Sequence, residues 1–122
     1  MKGLDRLTLK CVLERSAVLY ATKPCVSWVN GKPIRYNEFL EQVKEIQLYL
    51  LDGGIGKGDK VAILSENSPN WGISYFAITT LGAIAVPILP DFRDNEVHHI
   101  LRHSESKAVF ISKKQFVKIE EF

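Results

Sequence analysis

Residues 58–90 read GDKVAILSENSPNWGISYFAITTLGAIAVPILP and carry the longest apolar pattern of the chain. Residues 60–65 form a short apolar run without alternation, the pattern of a strand buried on both faces of a parallel sheet. Ser68 then offers a helix N-cap oxygen, and Pro69 occupies a first helical position where its missing N–H costs nothing. The spacing predicts a helix from Pro69 to about Leu81, stopped by Gly82, and a second strand over 83–89 that ends at Pro90. A strand, a crossover helix and a strand in so few residues imply a right-handed βαβ unit. Downstream, residues 91–95 are a polar connection with Asp94 as the expected cap. A helix to about Ser104 follows, with Val97, Ile100, Leu101 and Ser104 inward, and residues 107–112 repeat the continuous apolar strand pattern. The fold class expected is α/β: the parallel βαβαβ half of a doubly wound sheet.

Three elements precede this half sheet. A helix over 4–20 places Leu4, Leu7, Cys11, Val18 and Leu19 on one side. Residues 25–29 begin an extended segment with Val26 and Trp28 on one face. Asn30-Gly31 is a hairpin-turn signal, and residues 33–36 return as a short strand that Pro33 confines to an edge. Asn37 is the expected cap of an amphipathic helix over 38–52. Phe39, Leu40, Val43, Ile46, Leu50 and Leu51 share its apolar face, Glu38, Glu41 and Glu45 lie opposite, and Leu48 and Tyr49 fall outside the stripe. Residues 113–122 resemble the beginning of a final helix. The whole of 1–122 is expected to be a single domain.

The Pro69–Leu81 helix is apolar nearly all the way round, with Trp71, Ile73, Tyr75, Phe76, Ile78 and Leu81 in every sector. Such a helix is normally buried on all sides. An exposed patch is therefore expected on it, covered by a second copy or by the remainder of a longer chain.

Composition narrows the classes. With 122 residues, 46% hydrophobic and 25% charged, the chain is an ordinary globular domain able to bury roughly 65% of its unfolded surface. A net charge of +2 without a one-sided basic stripe argues against nucleic acid. The most apolar run is far short of the roughly 20 residues of a transmembrane segment, and the N-terminal residues lack a secretory pattern. Cys11 and Cys25 have no metal-ligand spacing and read as reduced thiols, so the expected location is cytoplasmic.

Candidate chemistry is sparse. The glycine-rich loop 53–59 fails as a phosphate loop, because Leu51 and Gly58 stand where that motif needs Gly and Ser or Thr. It also runs from helix to strand, so no helix N-terminus points at an anion. His99 and His103 sit one turn apart without a third ligand, and read as solvent-facing. In parallel sheets ligands approach the carboxyl ends of the strands. Those ends present Ser65, Glu66 and Asn67, then Pro90 and Asp91, then Ser112 and Lys113, which also read as ordinary turn and cap residues.

Three stretches carry a resemblance: KPCVSWVNGKPIRYNEFLEQV, then GIGKGDKVAILSENSPNWGISYFAITTLGAIAVPILPDF, then EVHHILRHSESKAVFIS. Over residues 4–115 the chain resembles the N-terminal region of the AMP-forming acyl-CoA synthetases, and around 65–71 and 84–92 its phrasing is similar to the long-chain fatty-acid–CoA ligases. The resemblance implies a parent enzyme that uses ATP, Mg2+ and coenzyme A to turn a fatty acid into an acyl-adenylate and then an acyl-CoA. The family's Ser/Thr/Gly-rich phosphate loop, its acidic ribose motif and its mobile lysine-bearing domain match nothing here. No catalytic, cofactor-binding or metal residue is therefore assigned, and Lys57, Lys60 and Lys113 are not given the lysine's role. The 122 residues are expected to be an N-terminal piece, inactive alone. The alternative is a self-sufficient, non-catalytic α/β partner-binding module, receiver-like or flavodoxin-like, with Glu66 and Asp91 as a thin acidic pair.

Overall fold

The computed structural model describes residues 8–122, so Leu4 and Leu7 of the first expected helix lie outside the described residues. The elements in order are α1 (Leu9–Leu19), β1 (Pro24–Val26), β2 (Ile34–Arg35), α2 (Tyr36–Asp52), β3 (Lys60–Leu64), α3 (Pro69–Leu81), β4 (Ile84–Ile88), α4 (Asp94–Ser104) and β5 (Ala108–Ile111). A 3-10 turn, Phe116–Ile119, follows β5. Strands β4, β3 and β5 form a parallel sheet with β3 in the centre, Val61 opposite both Ala85 and Ala108. This is the expected βαβαβ half sheet.

Why β3 is continuously apolar follows from its two neighbours in depth. Val61 and Ile63 pack with Leu50, Ile55 and Ile78 on the α2–α3 side, while Ala62 and Leu64 pack with Ile88, Val97 and Leu101 on the α4 side. Each fully buried aliphatic side chain here contributes about 1.5–3 kcal/mol relative to exposure. Ser68 caps α3 by accepting from the Trp71 N–H at 3.3 Å. At its other end Gly82 takes φ 93°, a left-handed cap that a side chain would strain.

The apolar circumference of α3 finds most of its cover inside the chain. Ile78 faces the sheet cluster, whereas Ile73 and Ala77 pack against Leu13 of α1 and Phe39 and Val43 of α2. Phe76 meets Phe39 edge-on at 5.6 Å, and the Gln47 amide of α2 donates to Thr80 Oγ1 at 2.7 Å. Ile78 is fully buried, while Trp71, Tyr75, Phe76 and Leu81 remain half-buried. The large exposed apolar side chains lie elsewhere, including Leu48 and Tyr49 of α2, the two that fell outside its stripe.

Several local expectations are corrected. Helix α2 begins at Tyr36 with Arg35 in the cap position, because the Glu38 carboxylate reaches back to accept the Arg35 N–H at 3.0 Å; Asn37 lies inside the helix. Arg93, not Asp94, precedes α4, and Asp94 joins Glu96 in the first turn, where acids complement the helix dipole. Val18, at 79% exposed, and Leu19 turn away from the core, since Leu13 and Ala17, one turn apart, take the docking face of α1. Leu51 is exposed as well. The hairpin is wider than a two-residue turn: pairing stops at Val26, and Trp28 sits in the connecting loop, its carbonyl accepting from the Gly31 N–H at 2.9 Å. Residues 113–122 hold only the short 3-10 turn, because the Gln115 side chain turns inward to Glu66 instead of capping a helix.

Candidate functional site

Parallel strands deliver the loops that follow β3 and β5 to the same edge of the sheet, beside the N-terminus of α3. A cleft of about 420 Å³ opens there, with Trp28, Trp71, Phe110 and Ile63 as its apolar walls and Ser74 among its polar ones. Of the strand-end residues singled out in the sequence, Ser65, Glu66, Ser112 and Lys113 line this cleft; Asn67 and Asp91 do not. The end of β4 is occupied differently, the Pro90 carbonyl accepting from the Lys118 ammonium and the Lys118 carbonyl contacting His98 Nε2 at 2.6 Å. The acidic pair of Glu66 and Asp91 is therefore not brought into one cleft.

Glu66 organises the cleft floor. Its Oε2 accepts from the Ser112 hydroxyl at 2.8 Å and from the Gln115 amide at 3.0 Å, and neither bond falls on Oε1. The hydrogen bond from Ser112, then that from Gln115, holds the Glu66 carboxyl below its ordinary pKa. Gln115 is 6% exposed, and its Oε1 is buried with no partner among the described residues. A carboxylate kept ionised in this way is a poor base toward Ser112, and no His or Cys lines the cleft.

The opposite, amino-terminal edge carries a separate ion pair, Lys107 Nζ to Asp59 Oδ1 at 2.9 Å, with Asp59 Oδ2 accepting the Gly56 N–H at 2.8 Å. The Lys107 hydrogen bond, followed by the one from Gly56, lowers the Asp59 pKa. Lys60 and Lys57 belong to this end, away from the cleft: Lys60 opens β3, and the Lys57 side chain approaches Gly82. His99 and His103 stack at 5.6 Å on the exposed side of α4, and among the described residues no group of three or more His, Cys, Asp or Glu could hold a metal. Cys11 and Cys25 are free thiols, and burial pushes Cys25 up. No helix among the described residues is long and apolar enough to cross a membrane.

Sequence reasoning missed Trp28, Ser74 and Gln115. The sequence pattern puts Trp28 on a strand, and Ser74 sits inside an apolar helix with no motif to mark it. Gln115 gains its role only when β5 lies beside β3 and brings it to Glu66, 49 positions earlier in the chain.

Comparison with known proteins adds what the cleft alone does not carry. Residues 13–121 match the family of AMP-binding enzymes. A long-chain-fatty-acid–CoA ligase of Bacillus subtilis (strain 168) is 28% identical over 106 residues, covering 87% of this chain and 19% of the relative. The acyl-CoA ligase sidI of Beauveria bassiana (strain ARSEF 2860) is 33% identical over 110 residues, 88% of this chain and 19% of its own. The crystal structure of the N-terminal domain of FACL13 from Mycobacterium tuberculosis superposes with a TM-score of 0.88 at 27% identity, covering 94% of this chain and 30% of that one. The chain thus spans about a fifth of the length of the curated relatives it matches. With a family match running through every strand and helix from α2 to the 3-10 turn, the chain belongs to the AMP-binding enzymes.

Proposed function

We propose that these 122 residues are the N-terminal part, a single domain, of a cytoplasmic, ATP-dependent, AMP-forming acyl-CoA ligase. The parent activates a fatty acid of long chain as its acyl-adenylate and transfers the acyl group to coenzyme A, with Mg2+ as the ion on ATP. The observation that carries this reading is the unbroken family match over residues 13–121, together with relatives named as acyl-CoA ligases. In this reading the piece contributes scaffold. The cleft holds Glu66 as an anion and one rim lysine, Lys113, and so lacks the concentration of positive charge needed to offset a triphosphate and hold its α-phosphate in line with a carboxylate. The 122 residues alone are accordingly inactive. The remainder of the enzyme chain, or failing that a second copy, packs against α3 where Trp71 and Tyr75 stay half-open. Acyl-CoA formation by the chain extended with its downstream coding sequence, assayed with acids from two to eighteen carbons, tests the substrate class. Turnover rising toward the long acids supports it, and turnover confined to short or aromatic acids overturns the long-chain assignment.

A further inference from the structure

Helix α4 carries all three histidines of the chain, and the fold divides them. His98 turns to the C-terminal segment, where its Nε2 meets the Lys118 carbonyl and its ring lies 5.3 Å from that of Phe122. Arg102 is drawn to the same side, over the Phe122 ring at 4.9 Å. His99 and His103 are left together on the exposed face, their ring centres 5.6 Å apart and their planes within 13° of parallel. Among the described residues no hydrogen bond or ion pair holds either ring.

The backbone beneath the pair is fixed. Val97 and Leu101 are buried and pack with Ala62, Leu64 and Ile88 of the sheet, so the turn that joins positions 99 and 103 is anchored from its other side. Residues four apart on a helix are neighbours on its surface. An ion bonded to two imidazole nitrogens at about 2.0–2.1 Å holds their ring centres roughly 5 Å apart. The observed 5.6 Å is close to that separation, and both rings are exposed, so each can turn about its Cβ–Cγ bond to aim a nitrogen at one point between them. His103 also lies in the last turn of α4, where the negative end of the helix dipole favours a cation. We propose that His99 and His103 form a two-point chelate for a divalent transition-metal ion of the Ni2+, Cu2+ or Zn2+ class, with water completing the coordination. Imidazole nitrogens suit these ions, whereas Mg2+ and Ca2+ demand oxygen ligands that the pair does not supply. The chelate is therefore distinct from the Mg2+ that accompanies ATP, and it does not depend on the ligase reading. Bound metal ties one turn of α4 to the next and stabilises the folded chain, in which alone the two rings are held together.

Calorimetric titration of the 122-residue protein with NiCl2, and thermal unfolding with and without it, test the chelate. One Ni2+ per chain is expected, bound about tenfold or more tightly than by His99→Gln or His103→Gln, each of which keeps a single ring of the pair. Both variants alter exposed positions and should melt as the parent does in EDTA. Ni2+ at about ten times its dissociation constant should raise the melting temperature of the parent by about 4 °C and that of either variant by less than half as much. Mg2+ at the same concentration should leave all three unmoved. Equal affinity in the parent and the single variants means one-histidine binding and overturns the assignment. So does a complete lack of saturable Ni2+ binding, or binding that survives undiminished in His99→Gln/His103→Gln, where only other groups such as the Cys11 and Cys25 thiols remain.

Discussion

The Ser112 hydroxyl donates to Glu66 Oε2 at 2.8 Å, tying the end of β5 to the end of β3 across 46 positions of sequence. Because this contact and the Gln115 amide depress the folded-state pKa of Glu66, the group stabilises the fold above its ordinary value near 4.5. That contribution is lost as pH falls through the depressed value. Urea midpoints measured from pH 7 down to pH 3 should therefore decline in the parent and decline less steeply in Glu66→Gln. Some slope persists in the variant, since Asp59 is depressed in the same direction by Lys107. Identical slopes in parent and variant contradict the assigned role of Glu66.

Ile63, 1% exposed in the centre of the sheet, touches the cluster formed by α2 and α3. Ile63→Ala should cost about 2–5 kcal/mol in urea unfolding. The same truncation at Val18, 79% exposed on α1, should stay within about 0.5 kcal/mol. Comparable losses at both positions would contradict the position of the core.

Gly82 closes α3 at φ 93°, and a methyl group there would meet Lys57, its Cγ at 3.4 Å, Cβ at 3.7 Å and Cα at 3.9 Å, all ordinary van der Waals contacts. The penalty for Gly82→Ala is therefore backbone strain, about 1 kcal/mol, and thermal unfolding should register it. Gly56, with φ outside the left-handed region and open space around its Cβ position, should tolerate alanine.

How much of this was legible in the sequence depends on how local each cause is. Strand β3 announces itself because burial on both faces leaves no polar position after Lys60, β4 and β5 repeat its continuous apolar pattern while staying partly open, and α3 carries its start signal in Ser68-Pro69 and its stop signal in Gly82. The cover on α3 was not legible: an all-round apolar helix says that it is enclosed, but not that Phe39 and Val43 of α2 enclose it. Caps were misplaced where the deciding contact was a carboxylate reaching back, as Glu38 does to Arg35. In the cleft, the strand-end rule located Glu66 and Ser112, whereas Ser74, Trp28 and Gln115 became partners only through tertiary placement.

Burial raises the pKa of Cys25, which packs beside the Leu13–Phe39 cluster. Iodoacetamide at pH 8 should modify Cys25 more slowly than a free cysteine peptide, as followed by peptide mass mapping. Reaction at the rate of the free peptide would contradict the packing of β1 against α1 and α2.

ATP–pyrophosphate exchange with fatty acids, run side by side on the 122 residues and on the same residues joined to the coding sequence after Phe122, bears most directly on parentage. The longer chain should exchange and the short one should not. Exchange by the short chain, or none by the longer, contradicts the view of this molecule as the scaffold portion of an acyl-CoA ligase.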